Sequence, residues 1–301
     1  MYDLIVIGGG PAGLTAAIYA IRKRLNVLLV SRDLGGKTQY RLALPWIEDY
    51  QVIRGLEVVN KFKSELEYLE FARHLEPVDS IIRREDVFAV IPRSGEELIT
   101  RAVIVATGSR QQFMDVPGEK EYMMRGLCYS ALSYAPLFID RTVVVIGDGE
   151  LALRSAAELA TVAKHVHIIC SCDRFPNTAL AQKLELAGHV TALMNQQVVA
   201  VQGDEYARTI VLENTAGKQM EIEADAFFVE RALIPNSKMV ADLVELDEHG
   251  RIQVDINNCT NVPGIFAAGD VTNSFAEQVL VAVGEGAKAA LSAYDYLLPC
   301  L

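Results

Sequence analysis

The chain has 301 residues, of which 51% are hydrophobic and 22% charged, and its formal net charge is −11. This length predicts one or two domains with a sizeable core, and the acidic balance argues against nucleic acid as a partner. No apolar run is long enough to cross a membrane, and the chain opens on a strand pattern where a signal peptide would begin. The five cysteines lack the spacing of a disulfide framework, which predicts a reducing, cytoplasmic compartment.

The first element is the apolar run from Leu4 to Ile7, which is typical of a parallel strand covered on both faces. A turn with GxGxxG spacing follows at Gly8, Gly10 and Gly13. In this pattern the glycines make a tight turn, let the backbone approach a pyrophosphate and let the next helix pack closely. A helix over 14–24 and a strand over 27–31 complete the order that predicts a dinucleotide-binding unit. The alternative is an ordinary glycine-rich turn.

The pattern then recurs along the chain. Residues 55–73 have helical periodicity, residues 78–100 are strand-like, and residues 101–109 form a buried strand that ends in a Thr-Gly turn. The opening pattern repeats at 143–169, with Gly147, Gly149 and Ala152 in the turn. A third strand-to-glycine junction at 264–270 precedes a closing helix over 276–298.

This repeat predicts an α/β protein with two Rossmann-like, three-layer domains, the second inserted into the first. The first domain is predicted to comprise residues 1–115 and 242–301, and to bind FAD. The second is predicted to comprise residues 116–241, a degenerate NAD(P)-binding-like domain.

Several motifs occur together and in order: GGGPAG, LGGK, IEDY, ATG, VPGE, PNS and GIFAAGD. With these motifs the chain resembles the low-molecular-weight thioredoxin reductase family over nearly its whole length. The resemblance implies FAD in the first domain, a homodimer, thioredoxin as the partner, and domains that twist against each other during turnover.

The resemblance also implies roles for particular residues. It places the FAD pyrophosphate on Gly8, Gly10, Pro11, Ala12 and Gly13, and the adenosine ribose on Ser31 or, as the less favoured choice, Asp33. The residues expected around the flavin and its ribityl chain are Gly36, Lys37, Asp49, Ala106, Thr107, Gly108, Gly269, Asp270, Gln278 and Val279. The family has Gln at position 37 and Asn at position 49, so Lys37 and Asp49 are expected to change the local charge and the flavin potential.

The family's redox-active dithiol falls in the register of Cys128-Tyr-Ser-Ala-Leu-Ser-Tyr-Ala135. Both cysteine positions are serine here, Ser130 and Ser133, and the usual acid is Tyr134. Serine forms neither a disulfide nor a thiolate, so this chain is expected to be inactive in dithiol exchange. A deliberate pair of substitutions is the favoured explanation, although Tyr134 argues against it. Natural loss of the motif and two serines in an ordinary loop are the alternatives.

The nicotinamide side departs from the family as well. The arginine-rich motif that grips the 2′-phosphate of NADPH is replaced by Cys170-Ser171-Cys172, and Pro176 replaces the last arginine. No acidic residue follows the strand to hold the ribose of NADH. Glu230-Arg231-Ala232 fills the space expected for the nicotinamide. These losses predict poor or absent NAD(P)H binding, with Gly147 and Gly149 retained for packing.

A branch of the family that uses ferredoxin retains the fold without the NADPH residues, and reduced ferredoxin is therefore the expected donor. Basic residues at 22–24, 83–84 and Arg110 are candidates for its docking surface, and solvated surface charge is the default alternative. In this interpretation position 130 faces thioredoxin and position 133 faces the flavin.

Two alternatives stay open: a flavoprotein without dithiol chemistry that performs another electron transfer, which could use a second flavin nucleotide, and a non-catalytic, redox-sensing protein. Cys170 and Cys172 could form a disulfide, but two free thiols are the favoured state. The scattered histidines predict no metal site.

Overall fold

The computed structural model describes residues 1–50, 55–130 and 134–301. Their helices are α1 (Pro11–Arg22), α2 (Leu56–Tyr68), α3 (Glu119–Tyr122), α4 (Glu150–Leu159), α5 (Ala179–Glu185) and α6 (Val279–Leu297). Their strands are β1 (Tyr2–Ile7), β2 (Val27–Val30), β3 (Leu42–Leu44), β4 (Ile47–Tyr50), β5 (Arg73–His74), β6 (Val78–Arg84), β7 (Val87–Pro92), β8 (Leu98–Val105), β9 (Ser109–Gln111), β10 (Leu127–Cys128), β11 (Thr142–Ile146), β12 (His165–Ile169), β13 (Val190–Leu193), β14 (Gln196–Gly203), β15 (Ala207–Asn214), β16 (Gln219–Glu223), β17 (Ala226–Val229), β18 (Leu233–Pro235) and β19 (Ile265–Ala267).

The chain divides into two compact units. The first comprises residues 1–39, 53–110 and 234–301, and the second comprises residues 40–52 and 111–233. Apart from the short 40–52 segment, the chain enters the second unit within β9 and returns to the first within β18. The second unit is therefore inserted into the sequence of the first.

The sheet of the first unit has the strand order β5-β2-β1-β8-β7-β6, and β19 also pairs with β8. The pairs of β1 with β2 and β8 are parallel, whereas β6, β7 and β8 form an antiparallel meander. Leu4, Ile5 and Val6 are completely buried, as expected for a strand covered on both faces.

Helices α1 and α6 of the first unit cross at a stripe of small residues. A Cβ at Gly286 would lie 2.1 Å from the carbonyl oxygen of Ala12, so only glycine permits this backbone approach. Ala289, Ala290 and Ala293 continue the same face of α6 and are buried. The close packing brings the middle of α6 against the first turn of α1.

The second unit is built on the parallel sheet β10-β17-β11-β12-β13. Successive residues of its central strand point to opposite faces: Val143 and Val145 pack with the helices α4 and α5, and Val144 packs with the antiparallel sheet β14-β15-β16. The result is a three-layer arrangement of helices, parallel sheet and antiparallel sheet. The predicted fold class, two three-layer α/β units with one inserted into the other, is confirmed.

Residues 40–50 group with the second unit, whereas the sequence placed them in the first domain. The amide of Ala43 donates to the carbonyl of Met124, and the indole of Trp46 packs edge-on against Phe138, with ring centroids 5.9 Å apart. Arg141 also stacks on the Trp46 ring at 4.1 Å. A short antiparallel hairpin, β3–β4, thus uses an aromatic side chain to join the second core. Among the described residues, no helix combines the length and the apolar character that a membrane crossing requires.

Candidate functional site

The glycines of the first turn have different surroundings. Gly8 has φ +112°, and a Cβ there would lie 2.2 Å from the carbonyl oxygen of Ala106. A Cβ at Gly13 would lie 1.8 Å from the carbonyl oxygen of Gly8, whereas a Cβ at Gly10 would meet nothing within 4 Å. Gly8 and Gly13 are therefore required by backbone packing. The open space at Gly10 is what a pyrophosphate would need to approach the backbone.

The N-terminus of α1 is ready for an anion. Gly10 is its N-cap, Pro11 begins the helix, no side chain caps it, and no acidic residue lies in its first turn. The first amides of a helix carry partial positive charge and remain available to a phosphate. Pro11, Ala12 and Gly13 form this helix start, and their contact with a pyrophosphate stays a prediction.

Ser31 and Asp33 follow β2, in the predicted ribose region. The hydroxyl of Ser31 donates to the carbonyl of Asp33 at 2.8 Å. The Asp33 carboxylate accepts from the amide of Gly36 and the side chain of Gln39, both at 3.1 Å, and pairs with Arg32. Asp33 therefore organises the 33–39 loop, and Ser31 keeps its hydroxyl oxygen as an acceptor.

Lys37 is the centre of a charged cluster in the first unit. Its ammonium lies 2.7 Å from Asp270 and 3.8 Å from Glu277, and it donates to the hydroxyl of Ser109 at 3.0 Å. Asp270 is the residue that the sequence assigns to the ribityl chain, so the unusual lysine neutralises the carboxylate expected to accept from that chain. Ser109 and Glu277 were not identified from the sequence.

Asn236, the residue after β18, holds the Ala106-Thr107-Gly108 segment through hydrogen bonds. The hydroxyl of Thr107 donates to the carbonyl of Asn236 at 2.8 Å, and the Asn236 side chain donates back to the carbonyl of Thr107 at 2.9 Å. The amide of Asn236 also donates to the carbonyl of Gly108. This reciprocal pairing gives Asn236, in the PNS motif, the task of holding the predicted flavin-facing loop.

Glu285 holds the turn before α6. Its carboxylate accepts from the amide of Gly269 at 2.7 Å and from the hydroxyl of Ser274 at 2.6 Å. Gln278 is the N-cap of α6 and Val279 its first residue, with no acidic residue in the first turn. The start of α6 therefore also offers unneutralised amides. Asp49 lies on β4, and its side chain is outside the described residues.

In the second glycine turn, as in the first, one glycine is required by backbone packing and another faces open space. A Cβ at Gly147 would lie 2.1 Å from the carbonyl oxygen of Glu230 and 2.9 Å from the Cβ of Ala152. Gly147 is thus needed to bring β11, β17 and α4 together. A Cβ at Gly149 would meet nothing within 4 Å, so the expectation that packing explains this glycine was wrong.

The loop after β12 differs from the sequence prediction in two respects. Cys170 and Cys172 form a disulfide, so the favoured expectation of two free thiols was wrong. An acidic residue also lies at the strand end, supplied by the glycine turn: Asp148 accepts from the amide and the hydroxyl of Ser171, both at 2.7 Å. Alternation along the strand could not reveal this contact, because the two residues come from different loops.

Arginines also lie near the end of β12. Arg174 is exposed in the same loop, and Arg231 is exposed and donates to the carbonyl of Phe113 at 2.9 Å. Glu230 is buried. The oxygen of Asp148 and both sulfurs lie within 4.8 Å of one another, but sulfurs joined in a disulfide are not thiolate ligands for a metal.

The segment in the register of the family's dithiol is only partly described. Ser130 is half-buried, and Ser133 lies outside the described residues. Tyr134 is buried in the core cluster of the second unit, where burial, and then the nearby Cys128, raises its pKa to about 12. Burial likewise raises the pKa of the Cys128 thiol. These surroundings suit Tyr134 to packing more than to proton transfer.

The candidate docking cations are partly neutralised. Arg22 pairs with Glu65 at 3.0 Å, and Arg84 pairs with Glu97 at 2.6 Å. Arg83 and Arg110 are exposed.

The chain is similar to known proteins over nearly its whole length. The model of the pyridine nucleotide-disulphide oxidoreductase family matches residues 2–286. The chain is 32% identical to one of the components of the alkyl hydroperoxide reductase of Staphylococcus aureus and to NADH dehydrogenase of Bacillus subtilis, covering 99% of this chain and 59% of each relative. The chain thus spans about three-fifths of the length of these curated relatives.

Solved structures of the same fold include two bacterial thioredoxin reductases. The enzyme from Streptococcus pyogenes has a TM-score of 0.89 and 31% identity, covering 99% of both chains. The enzyme from Lactococcus lactis has a TM-score of 0.66 and 31% identity, covering 99% of this chain and 100% of the other.

The fold and the site define an oxidoreductase-type flavoprotein with two Rossmann-like units. The chain belongs to the pyridine nucleotide-disulphide oxidoreductase family, and the low-molecular-weight thioredoxin reductases are its structural neighbours. FAD is the cofactor of this family, and the first unit fits it: Gly10 leaves a cradle that a Cβ would fill, and α1 points unneutralised amides at it.

Proposed function

We infer that this chain is an FAD-dependent oxidoreductase of the thioredoxin reductase type whose reductant is not NADPH. The observation that carries this proposal is the position of Asp148 at the end of β12. Its carboxylate accepts hydrogen bonds from the amide and the hydroxyl of Ser171, both at 2.7 Å. The 2′-phosphate of NADPH is expected at this strand end, where a carboxylate repels it. The disulfide between Cys170 and Cys172 stands where the family has its phosphate-binding cations.

Reduced ferredoxin is the proposed donor. A one-electron protein donor needs a docking surface and no nucleotide pocket. When bound, FAD supplies an acceptor that exchanges electrons singly or in pairs. In the proposed site, Gly10 leaves room for the pyrophosphate, whereas Gly8 and Gly13 let the turn and α1 pack closely. Lys37 and Asp270 flank the flavin and ribityl region. Lys23, Arg24, Arg83 and Arg110 are exposed members of the candidate docking set.

The donor is tested by anaerobic reduction of the flavin with reduced ferredoxin at several salt concentrations. We expect bleaching whose rate falls as ionic strength rises, because an acidic partner docks on cations. Arg110→Gln should slow the reaction more than the matched change Arg125→Gln. Absence of bleaching at all salt concentrations would remove ferredoxin as the donor.

Thioredoxin is the proposed acceptor of the cysteine-bearing form of the protein. The neighbours from S. pyogenes and L. lactis are titled thioredoxin reductases. With Ser130 and Ser133 the chain itself has no dithiol in that register and is expected to be inactive toward thioredoxin. The double variant Ser130→Cys/Ser133→Cys should gain thioredoxin reduction, and Ser130→Cys alone should not. A double variant that forms the disulfide yet leaves thioredoxin oxidised would refute this acceptor.

A second candidate is electron transfer without dithiol chemistry, with another nucleotide in the second unit. The open space at Gly149 favours it, because packing alone does not require that glycine. The B. subtilis relative is named NADH dehydrogenase. Two flavins or adenine nucleotides released per chain would favour this candidate, and one would favour the first. Redox sensing without turnover is the third possibility, and it predicts no steady-state activity with any donor.

The assembly and location are proposals from the resemblance: a homodimer in the cytoplasm. Light scattering of the FAD-loaded protein measures the first, and a mass of one chain would contradict it.

A further inference from the structure

A cavity of about 210 Å³ lies within the second unit, where the strands β11, β12 and β17 end. Its charged lining residues are Asp148, in the turn after β11, and Arg231, two residues after β17. These two described side chains make no ion pair with each other and contact different neighbours instead. The cavity thus has one negative and one positive charge in its wall, and neither neutralises the other directly.

The protein orients both charges and leaves each with capacity for a ligand. Asp148 accepts from the amide and the hydroxyl of Ser171, and an ionised carboxylate can accept about four hydrogen bonds. Arg231 donates through one amino group to the carbonyl of Phe113, and a guanidinium has about five N–H donors. Both charged side chains are exposed. Because they line one cavity of this volume, a single small molecule can contact both.

The rest of the wall includes an apolar surface. Its apolar residues are Met114, Ile146, Ile169 and Val198. They all belong to, or pack against, the hydrophobic cluster between the parallel and the antiparallel sheet of the second unit. A ligand that contacts the two charges can therefore also bury a short apolar group against this cluster.

We propose that this cavity binds a small zwitterion of the α-amino acid class. Its ammonium group contacts Asp148, its carboxylate contacts Arg231, and its short side chain packs against the apolar wall. A purely anionic ligand would be repelled by Asp148, and a purely cationic ligand would be repelled by Arg231. A molecule that carries both charges has a partner for each, and a carboxylate pairs with a guanidinium in a planar, two-bond geometry.

The size of the cavity agrees with this ligand class. Its volume of about 210 Å³ is below the range of about 300–1,000 Å³ that is typical of sites for drug-sized molecules. The proposal depends neither on the electron donor of the flavin nor on thioredoxin.

The test is equilibrium dialysis of the full-length, FAD-loaded protein against radiolabelled L-valine. We expect one saturable site per chain. Isobutylamine, which is valine without its carboxylate, and 3-methylbutanoate, which is valine without its ammonium group, should each displace the label only at a concentration at least about fivefold higher than unlabelled valine requires. Absence of saturable binding up to about 10 mM valine would overturn the proposal.

The competition experiment uses the parent chain, so it does not depend on the folding of any variant. Displacement by either single-charge analogue as effective as that by valine would refute the zwitterion. Displacement by AMP at the concentration that valine requires would assign the cavity to a nucleotide, and would also overturn the proposal.

Two variants test the assigned contacts. Asp148→Asn and Arg231→Gln should each raise the Kd for L-valine about fivefold, because each removes one of the two charges. Asp173→Asn and Arg174→Gln are the matched controls: both residues are exposed in the loop after β12 and lie outside the cavity lining. The controls should change the Kd by less than about twofold. A parent-like Kd in either Asp148→Asn or Arg231→Gln would contradict the proposed binding mode.

Discussion

Two glycines of the first turn serve different needs, and alanine at each should separate folding from cofactor binding. Gly10→Ala adds a Cβ that meets no protein atom within 4 Å, so the free energy of unfolding of the cofactor-free protein should change by less than about 0.5 kcal/mol. The same Cβ enters the space proposed for the pyrophosphate. FAD affinity should therefore fall about tenfold or more, as measured by flavin fluorescence during titration.

Gly13→Ala is the matched variant. Its Cβ would lie 1.8 Å from the carbonyl oxygen of Gly8, so α1 must move and the cofactor-free protein should lose about 1–3 kcal/mol of stability. Normal FAD affinity in Gly10→Ala would show that the turn does not hold the pyrophosphate.

Lys37 places a cation beside Asp270, and its removal should alter the electronic properties of the bound flavin. Lys37→Gln deletes one positive charge. Its loss makes added electrons on the nearby flavin ring less favourable, so the midpoint potential of the flavin should fall by about 20–30 mV. The change is measured by equilibrium titration against a reference dye. Lys164→Gln, an exposed lysine before β12, is the charge-matched control. Equal potentials in the two variants would place Lys37 away from the flavin.

At the level of single residues, sequence patterns predict backbone needs better than side-chain contacts. The turn glycines follow from spacing, because the geometry of a strand–turn–helix fixes where a Cβ is tolerated. Asn236 and Glu285 were not assigned roles, because each binds a segment far from it along the chain. Asp148 was missed for the same reason, and only the folded loops bring it to Ser171.

Two glycines of α6 test how closely this helix packs against α1. Gly286→Ala forces a Cβ to within 2.1 Å of the carbonyl oxygen of Ala12, so α6 must move away from α1. We expect a loss of about 1–3 kcal/mol in the free energy of unfolding, measured as a lower urea midpoint. Gly284→Ala, two residues earlier in the same helix, meets nothing within 4 Å and should stabilise the protein by about 0.5–1 kcal/mol. Equal midpoints would show that the two helices do not pack through Gly286.

A histidine on β12, His167, should make the stability of the protein depend on pH. Burial, and then the neighbouring His165, lowers the pKa of His167, whose Nδ1 is buried without a partner among the described residues. His167 therefore binds protons less readily in the folded than in the unfolded state. Its contribution to stability is present above the ordinary value of 6.5 and is lost as the pH falls through and below that value.

His167→Leu should remove this loss, so its stability should vary less between pH 7.5 and about 5 than that of the parent chain. At pH 7 the change should be about 1 kcal/mol or less, because a partnerless polar atom is also removed. His249→Leu, at an exposed loop position, is the control and should retain the parent's pH profile. A parent-like profile in His167→Leu would assign the acid sensitivity to other groups.

Over the whole molecule, the repeated strand–glycine–helix order was enough to predict two three-layer units with one inserted into the other. The assignment of residues 40–50 was not predictable, because the grouping depends on Trp46 meeting Phe138, a contact across about ninety residues that no local pattern encodes. The disulfide between Cys170 and Cys172 was not the favoured prediction, because spacing alone does not show whether two sulfurs are close enough to bond.

The two glycine turns are thus similar in backbone and different in charge. The first presents an uncapped helix and an open cradle, and the second ends at a carboxylate and a disulfide. This difference is the physical basis for proposing that FAD binds while NADPH does not serve as the reductant.

The most direct measurement is an anaerobic titration of the FAD-loaded protein with NADPH while the flavin absorbance is recorded. Photochemical reduction of the same sample shows that the flavin is competent, and reduced ferredoxin serves as the positive donor. We expect bleaching by light and by ferredoxin, and an oxidised spectrum that persists with NADPH in excess, because the Asp148 carboxylate repels the 2′-phosphate. Rapid bleaching by NADPH, at one equivalent per flavin, would contradict the proposal.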